Sequence, residues 1–409
     1  MAQPHAHLPS DPAATRTLTR PVEWSLRTAR RIVHISTVHQ PFDQRIFYRE
    51  CVSLAAAGYD THLLAPLPVS QLERQGVHVH SLGSLAEQRL GLAIGRRWQR
   101  IQRAAILARR LQADLYHLHD PELIPLGLWL KAVTGARVVF DCHENNTAYI
   151  QQKHHLHPLL RGGLASGMAV LERWAARTFD AIITADQGVA DLYLRRFRAR
   201  RVMTIHNFPQ LDLFLNQPPP SEDALFDLVY HGSIPRYHLE VTFAVAEALR
   251  RRGRRARWLF FGKCPEAAWA QAELARRGLL ADIVLDPHLI PHDQVAARVR
   301  QAQIGFIPLP DLPKFRHNIP TKLFEFMALG MPVVLSDLPP SRPFVGDGRC
   351  AFMVAPNDYD GYAEAILRLL DDPALRRTMG AEGRNRVMNE FNWQREAQYL
   401  LALYAELMH

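Results

Sequence analysis

The sequence has few cysteines, no long apolar run and no leader pattern, and each of these absences excludes a class of protein. Its four cysteines are scattered and form no CxxC pair, which argues against a disulfide framework or a zinc knuckle. No apolar stretch is long enough to span a membrane, and no charged-then-apolar leader precedes a cleavage site. We therefore expect a cytoplasmic protein.

Several short motifs of common protein classes are also missing. The sequence has no GxSxG, GxxxxGK[ST] or HExxH, so the usual signatures of a serine hydrolase, a P-loop protein and a zinc protease are absent. It has no RNP, zinc-finger or homeodomain pattern either, so nucleic acid is not an expected partner.

What the sequence has in excess is arginine. The 409 residues carry a formal net charge of +9, and the arginines cluster at 95–112, 194–201 and 249–258. A basic surface attracts anionic lipids or phosphorylated ligands, and charge alone does not choose between them. The first cluster is amphipathic, which fits an ordinary sheet-covering helix with a solvated arginine face or a helix resting on an anionic membrane. Peripheral contact with the inner face of a membrane is therefore a second expectation.

The chain alternates between short apolar strands and helices, which predicts parallel sheets covered on both faces. The fold class is α/β with two Rossmann-like, doubly wound domains facing a cleft. The predicted parts are a mobile tail (1–30), a first domain (31–207), a proline-rich hinge (208–226), a second domain (227–390) and a C-terminal helix (391–409). We expect that last helix to pack toward the first domain. Ligands of such folds bind at the carboxyl ends of the strands.

Polar residues gather at the predicted strand ends, and the two domains differ. The first domain supplies histidines and acids: His34, His39, Asp43, Arg45, His117, His119, Asp120, Asp141, His143 and Glu144. The second supplies glycines and mostly cationic side chains: Gly232, Ser233, Arg236, His238, Gly262, Lys263, Lys322 and Glu325. This asymmetry suits a phosphorylated ligand on the second domain and a neutral polyhydroxyl group on the first. His117 and His119 superficially resemble a metal pair, but no third histidine lies near them in sequence, so no metal site is predicted.

Residues 318–337, NIPTKLFEFMALGMPVVLSD, predict a loop, a helix, a tight turn and a buried strand. Thr321 is suited to cap the helix and Gly330 to end it. Glu325 is an acid in a helix whose neighbours are apolar. It is either a solvated glutamate or a ligand contact near a helix start that favours anions.

Five blocks resemble glycosyltransferase family 4, retaining enzymes of the GT-B fold that use nucleotide sugars. They are HQPFDQRIFYRECVSLAAAGYD (39–60), HLHDPELIPL (117–126), VVFDCHEN (138–145), IHN (205–207) and IPTKLFEFMALGMPVVLSD (319–337). The resemblance extends over nearly everything from residue 31 onward.

On the donor side, the resemblance implies that Glu325 accepts hydrogen bonds from the ribose hydroxyls of the nucleotide. It places Lys322, Leu323 and the helix start beside the diphosphate. It also makes Arg236 and Lys263 the cations that stabilise the diphosphate during catalysis.

On the acceptor side, the resemblance implies that a histidine of the first domain, His143 or His119, contacts the transferred sugar. His143 is the one that we assign to catalysis. His39, Asp43 and Arg45 fall where the first loop of the family approaches donor and acceptor.

The sequence departs from the family at two positions. His317 stands eight residues before Glu325, where the family often has a glutamate that contacts the sugar ring. His238 stands six residues after Gly232, where the family usually has a diphosphate-binding lysine. A protonated histidine beside a diphosphate would partly replace that lysine.

The resemblance therefore implies a retaining hexosyltransferase that needs no metal or other cofactor. Its partners would be a nucleotide-sugar donor and a saccharide or lipid-linked acceptor, in polysaccharide or glycolipid synthesis. The alternatives are a non-catalytic nucleotide-sugar-binding or scaffold member of the fold, favoured by His317 and His238, and a sugar-nucleotide epimerase.

Overall fold

The computed structural model describes residues 15–16, 29–84, 90–151, 157–214, 216–345 and 348–409. The chain forms two compact units, Met1–Asn207 with Glu396–His409, and Phe208–Arg395. Most of the predicted mobile tail (1–30) lies outside the described residues. Thr15–Arg16 form a short strand, β1, that pairs with a strand of the first unit.

The first unit is built on a nine-stranded sheet in the order β1-β4-β5-β3-β2-β6-β7-β8-β9. All neighbouring strands are parallel except β4, which pairs antiparallel with β1 and β5. The prediction of a parallel sheet missed this hairpin, because β4 is only four residues long and a two-residue turn joins it to β5. The remaining strands are β2 (Arg31–Ile35), β3 (Asp60–Ala65), β4 (Gln71–Arg74), β5 (Val77–Ser81), β6 (Leu115–Leu118), β7 (Arg137–Cys142), β8 (Ala181–Thr184) and β9 (Val202–Thr204).

Helices connect these strands. The first is a π-helical segment, Gln44–Cys51, that continues as α1 and ends at Gly58, whose φ is +90°. A second π-helical segment, Leu192–Phe197, continues α6. The α-helices are α1 (Val52–Ala56), α2 (Leu90–Leu111), α3 (Ile124–Thr134), α4 (Asn146–Gln151), α5 (Pro158–Thr178) and α6 (Gln187–Asp191).

The second unit is built on six parallel strands in the order β12-β11-β10-β13-β14-β15. They are β10 (Phe226–Ser233), β11 (Trp258–Lys263), β12 (Ile283–Asp286), β13 (Ala302–Ile307), β14 (Val333–Ser336) and β15 (Ala351–Val354). The helices are α7 (Arg236–Arg251), α8 (Ala267–Arg276), α9 (His292–Val299), α10 (Lys322–Ala328), α11 (Arg342–Val345), α12 (Tyr359–Asp371) and α13 (Pro373–Asn389). The last helix of the chain, α14 (Trp393–Met408), lies mostly in the first unit.

Alternation along the strands shows how the second sheet is covered. Along β11, Trp258 and Phe260 belong to one buried core, whereas Leu259 and Phe261 belong to another. Because successive side chains of a strand point to opposite faces, both faces of this sheet are buried. Two doubly wound α/β units are therefore confirmed.

The two faces of the first sheet differ in polarity. Val33, Tyr116 and Phe140 pack into an apolar core with α2, α3 and α5, where α2 buries Ala104, Ala108 and Leu111. On the other face of the same strands stand His34, His117 and Asp141, all fully buried. The sheet therefore carries a buried polar layer.

One local expectation was wrong, and one helix was missed. Thr321 does not cap α10: its φ and ψ (−57° and −31°) are helical and its side chain makes no capping bond. Helix α13 was not predicted, because Gly380 and Gly383 interrupt its pattern. A Cβ on Gly380 would stand 2.0 Å from the Gly330 carbonyl oxygen, so glycine is required where this helix packs against the turn after α10.

Part of the stretch predicted as a hinge is packed. Phe208 and Phe214 are buried in the core of the second unit, where the Phe208 ring lies 4.6 Å from that of Phe324. The Trp393 N–H donates to the Pro209 carbonyl (2.9 Å). These residues therefore belong structurally to the second unit.

Candidate active site

The polar edge of the first unit is organised around Asp141, at the end of β7. Arg45 donates to both of its oxygens, with Nε–Oδ2 2.6 Å and Nη2–Oδ1 3.0 Å. The same guanidinium donates to the Ile205 carbonyl and to Asn207 Oδ1, both at 2.9 Å. Although burial acts to raise the pKa of Asp141, Arg45 and His143 hold it well below its usual range. Arg45 is thus buried and engaged, and its contacts orient Asp141.

Two histidines stand half-exposed above this carboxylate. His143 Nε2 lies 3.1 Å from Asp141 Oδ2, and His39 Nδ1 lies 3.0 Å from Asp120 Oδ1. The two imidazole rings are 5.1 Å apart. Burial acts to lower the pKa of His39, but the hydrogen bond and charge of Asp120 outweigh it and raise that pKa. The edge therefore presents two carboxylate–imidazole pairs that could bind sugar hydroxyls.

The other predicted acceptor-side residues lie deeper or serve the backbone. Asp43 accepts from the backbone N–H groups of Arg45 and Ile46 (2.8 and 3.0 Å), so it caps the π-helical segment. His119 has no exposed side-chain surface, and its Nδ1 is 3.5 Å from Asp141. Burial lowers its pKa to about 4. The structure brings His39 and His143 to the surface of this edge and leaves His119 beneath them.

In the second unit, two glycines meet where β10 and β11 end. Gly232 and Gly262 are register partners with φ of +94° and +129°. A Cβ on Gly262 would stand 2.1 Å from the Gly232 carbonyl oxygen. Glycine at both positions lets the two strand ends approach closely at the carboxyl edge of the sheet, where such folds bind ligands.

Lys322, the first residue of α10, lies across this glycine edge. Its Nζ is 3.2 Å from where a Cβ on Gly232 would be, and 5.2 Å from the centre of the Tyr230 ring. Burial lowers the pKa of Lys322, and the Glu325 carboxylate offsets part of that shift. The ammonium group therefore lies beside the end of β10.

Glu325 lies one helical turn after Lys322. Its Oε2 is 3.0 Å from Nε2 of His231, and 13% of its side chain is exposed. The His231 ring stacks on Phe261 (5.5 Å between centroids) and meets Phe326 edge-on. The helix thus presents a fixed carboxylate next to a cation, which suits recognition of a ribose diol beside a phosphate.

Three other residues were predicted to bind the donor, and the structure places them in different surroundings. The side chain of Leu323 is fully buried, and its N–H donates to the Pro320 carbonyl (3.0 Å). The Arg236 guanidinium pairs with Glu240 (2.8 Å) and lies over the Trp269 ring (4.3 Å). Lys263 is exposed at the end of β11.

The two positions that depart from the family have different surroundings. His238 is buried on α7 with its ring 4.9 Å from that of Tyr230 and 4.7 Å from that of Tyr237. It therefore packs among aromatic rings rather than at the exposed edge. His317 is exposed in the loop before α10.

Sequence reasoning missed two site residues, Glu50 and His231. Glu50 lies on the helix face of Ile46, Phe47 and Leu54, all buried, and an acid in that apolar stripe was the available signal. His231 ends a buried apolar strand, and no pattern linked it to Glu325.

Comparison with known proteins identifies the same two halves. Residues 44–207 match the family described as glycosyl transferase 4-like domain, and residues 226–372 match the family described as glycosyl transferases group 1. An MMP alpha-(1->4)-mannosyltransferase of Mycolicibacterium hassiacum is 32% identical over 31% of this chain, but the match spans only 29% of that protein. Glycogen synthase of Mycobacterium tuberculosis is 24% identical, covering 72% of this chain and 69% of the synthase.

Solved structures agree on the fold. Sucrose-phosphate synthase from Thermosynechococcus elongatus superposes with a TM-score of 0.74 at 20% identity, over 92% of this chain and 99% of the other. An Anabaena protein solved with UDP and glucose gives 0.64 at 13% identity, over 92% and 100%. The likeness shows the two-unit GT-B fold. With both halves matched by their family models, the chain belongs to the group 1 glycosyltransferases, family 4.

Proposed function

We propose that this protein transfers a hexose from a nucleoside-diphosphate sugar to a hydroxyl group of a saccharide or lipid-linked acceptor, with retention at the anomeric carbon. The observation that carries the proposal is the placement of Lys322 and Glu325 on one turn of α10. Lys322 crosses Gly232, and Glu325 is fixed by His231. The Anabaena protein named above was solved with UDP, which supports a nucleotide donor for this fold.

The second unit holds the donor in this proposal. Glu325 accepts hydrogen bonds from the ribose hydroxyls, and Lys322 and Lys263 face the diphosphate. Arg236, the cation expected from the family, makes an exposed pair with Glu240 that is weak enough to exchange for a phosphate, so it shares this role with Lys322. Fixed cations stabilise charge that develops on the diphosphate, and the transfer step then requires no metal ion.

The first unit holds the acceptor. His143 and His39 offer imidazole nitrogens to sugar hydroxyls, and Asp141 and Asp120 hold the rings in place. In the reaction, the bond between the anomeric carbon and the diphosphate oxygen breaks. A bond from that carbon to the acceptor oxygen forms on the same face, and the acceptor proton leaves with a phosphate oxygen. This chain therefore orients the acceptor and supplies no assigned base.

A lipid-linked acceptor is favoured by the surface of α5. This helix exposes a stripe of apolar side chains at helical spacing: Leu160, Leu164, Val170 and Trp174. Arg173 and Arg177 are exposed beside it, whereas Glu172, the single acid in α5, is buried. An apolar face flanked only by cations fits the surface of an anionic membrane. None of the described helices combines the length and apolar character needed to cross a membrane.

Nucleotide release tests the proposal. The protein is incubated with UDP, GDP and ADP sugars, with and without saccharide acceptors, and free nucleoside diphosphate is measured. We expect release with one donor class, reduced at least tenfold by Glu325→Gln and by Lys263→Ala. Glu364→Gln, an exposed glutamate of α12, is the matched control and should leave it unchanged.

Three results would count against the proposal. Binding of a nucleotide without release from any sugar would favour the non-catalytic alternative. Interconversion of the sugar without transfer would favour an epimerase. Release that persists undiminished in both variants would remove the assigned site.

A further inference from the structure

The buried layer of the first unit contains a group of side chains that the proposed transfer does not use. His34, His117, His119 and Glu50 have no exposed side-chain surface, and we call them the histidine–glutamate cluster. His34 on β2 is the register partner of His117 on β6, and Glu50 reaches them from the π-helical segment. From the sequence, only His117 and His119 were weighed as a metal pair and no site was predicted, because the third histidine, His34, comes from a neighbouring strand 83 positions away.

Their ligand atoms converge on one point. Nδ1 of His34, Nδ1 of His117 and Nε2 of His119 each lie 3.8 Å from Oε2 of Glu50. His34 Nδ1 and His119 Nε2 are 2.9 Å apart. A tetrahedral ion with bonds of about 2.0–2.2 Å has ligand atoms roughly 3.3–3.6 Å apart, so shifts of a few tenths of an ångström would complete the shell.

Glu50 supplies an independent observation. Among the described residues, neither of its buried carboxylate oxygens accepts a hydrogen bond. Arg45 is its permanently charged neighbour: Nε lies 3.1 Å from Oε1 but already donates to Asp141. A buried carboxylate oxygen that accepts no hydrogen bond is costly unless a cation lies against it, and Arg45 lies against Oε1 alone. Oε2, the oxygen turned away from Arg45, is the one that faces the three histidines.

We propose that the histidine–glutamate cluster binds one Zn²⁺ ion through His34, His117, His119 and Glu50. Three imidazole nitrogens and one carboxylate oxygen are a donor set that zinc accepts in tetrahedral geometry. Four protein ligands leave no open position for substrate, so the ion is structural. It ties β2, β6 and the π-helical segment together beneath the acceptor edge. Asp141, behind His119 at 3.5 Å, is the carboxylate that orients this ligand.

Tyr404 distinguishes a metal site from a hydrogen-bonded network. Its hydroxyl lies 2.6 Å from His117 Nδ1, the same nitrogen that must bind the ion. In a network that contact is stabilising, whereas in a zinc site the hydroxyl turns aside when the ion binds. Tyr404→Phe is therefore expected to keep zinc binding, although it removes a contact of the buried layer.

Metal content is the direct test. The protein is expressed without a histidine tag in zinc-supplemented medium, and its metals are measured by mass spectrometry. We expect about one zinc ion per chain in the wild type and in Tyr404→Phe, because the folded protein brings the four ligands together. Glu50→Gln and His34→Gln should each lose at least nine-tenths of it. His62→Gln replaces another buried histidine of this unit, outside the cluster, and should retain it.

A second measurement needs no ligand variant. Chelator-treated wild type is titrated with Co²⁺, which should produce the visible absorption of a tetrahedral site, and added Zn²⁺ should raise the melting temperature. Wild type that binds neither ion, or Glu50→Gln that retains as much zinc as the wild type, would overturn the proposal. If Glu50→Gln does not fold, the Co²⁺ spectra of the wild type and of Tyr404→Phe decide. Nucleotide release is scored separately, because the zinc site does not depend on the transfer reaction.

Discussion

Arg45 and Asp141 form a fully buried bidentate pair, 96 positions apart in sequence. Arg45 comes from the loop-proximal end of a helical segment and Asp141 from the end of a strand. The pair holds the carboxylate against which His143 rests. The polar edge of the first unit thus depends on an arginine with only 5% of its side chain exposed.

Replacing Asp141 should destabilise the protein strongly. Asp141→Asn leaves the buried Arg45 charge without its main partner, and we expect unfolding free energy to fall by about 3–5 kcal/mol. Urea unfolding measures this. The matched control is Asp311→Asn, which breaks the exposed Arg316 pair and should cost less than about 1 kcal/mol. Equal losses in the two variants would contradict the role given to the pair.

The Glu325–His231 contact should set nucleotide affinity. Glu325→Gln removes a charged acceptor, and a charged hydrogen bond is worth about 1.5–3 kcal/mol, so the dissociation constant should rise tenfold or more. His231→Asn should cause a smaller loss, because Glu325 stays charged but is less fixed. Calorimetric titration with UDP, GDP and ADP measures both effects. If His231→Asn raised the dissociation constant of the nucleotide more than Glu325→Gln does, the role given to Glu325 would be contradicted.

Gly262 should not tolerate a side chain. Gly262→Ala places a Cβ 2.1 Å from the Gly232 carbonyl oxygen at a φ of +129°, so the loop beside Lys322 must shift. We expect loss of nucleotide binding and a lower melting temperature. Gly163→Ala is the control: it lies inside α5 in open space and should stabilise the protein by about 0.5–1 kcal/mol. Thermal melting should therefore show a lower melting temperature for Gly262→Ala and a higher one for Gly163→Ala.

The first unit should lose stability in mild acid through His80. Burial, with help from His62, lowers the pKa of His80 to about 3, below its ordinary value of about 6.5. Between those values the unfolded chain binds a proton there that the folded chain does not. Unfolding free energy therefore falls as pH falls, by up to about 1.4 kcal/mol per pH unit for this group.

His80→Gln should flatten the fall between pH 7 and pH 5, as measured by urea unfolding at each pH. His288→Gln, which removes an exposed histidine, should leave the wild-type slope. Identical slopes in the wild type and His80→Gln would show that His80 is not the group responsible.

The α5 stripe should govern binding to anionic vesicles. Replacing Leu160, Leu164 and Trp174 together by Ser removes exposed apolar area without touching the core, so co-sedimentation should fall at least tenfold while the melting temperature holds. A matched control replaces Leu280 and Leu289, exposed in the second unit, by Ser. Retained binding in the α5 variant would remove this surface as the membrane contact.

Most helices and strands could be predicted from the sequence, because the hydrophobic periodicity of each is contained in consecutive residues. The motif at 318–337 predicted a helix, a turn and a strand, and the structure has α10, the turn at Gly330 and β14 in that order. Its cap was wrong because Thr321 is itself helical, and α13 was missed because two glycines obscure its apolar face. The sequence also predicted which polar side chains lie at the carboxyl edge of each sheet, because these residues directly follow the predicted strands.

The amino-acid sequence by itself determined the α/β class, the two doubly wound units and the family. Each of these rests on periodicity or on a contiguous block of residues. Only the tertiary structure decided which polar groups meet. It turned Arg236 toward Glu240 and Trp269, brought Lys322 across Gly232, and put His34 and Glu50 with His117 and His119. Such contacts depend on strand register and on helix rotation across the sheet, which bring together residues that no local pattern connects.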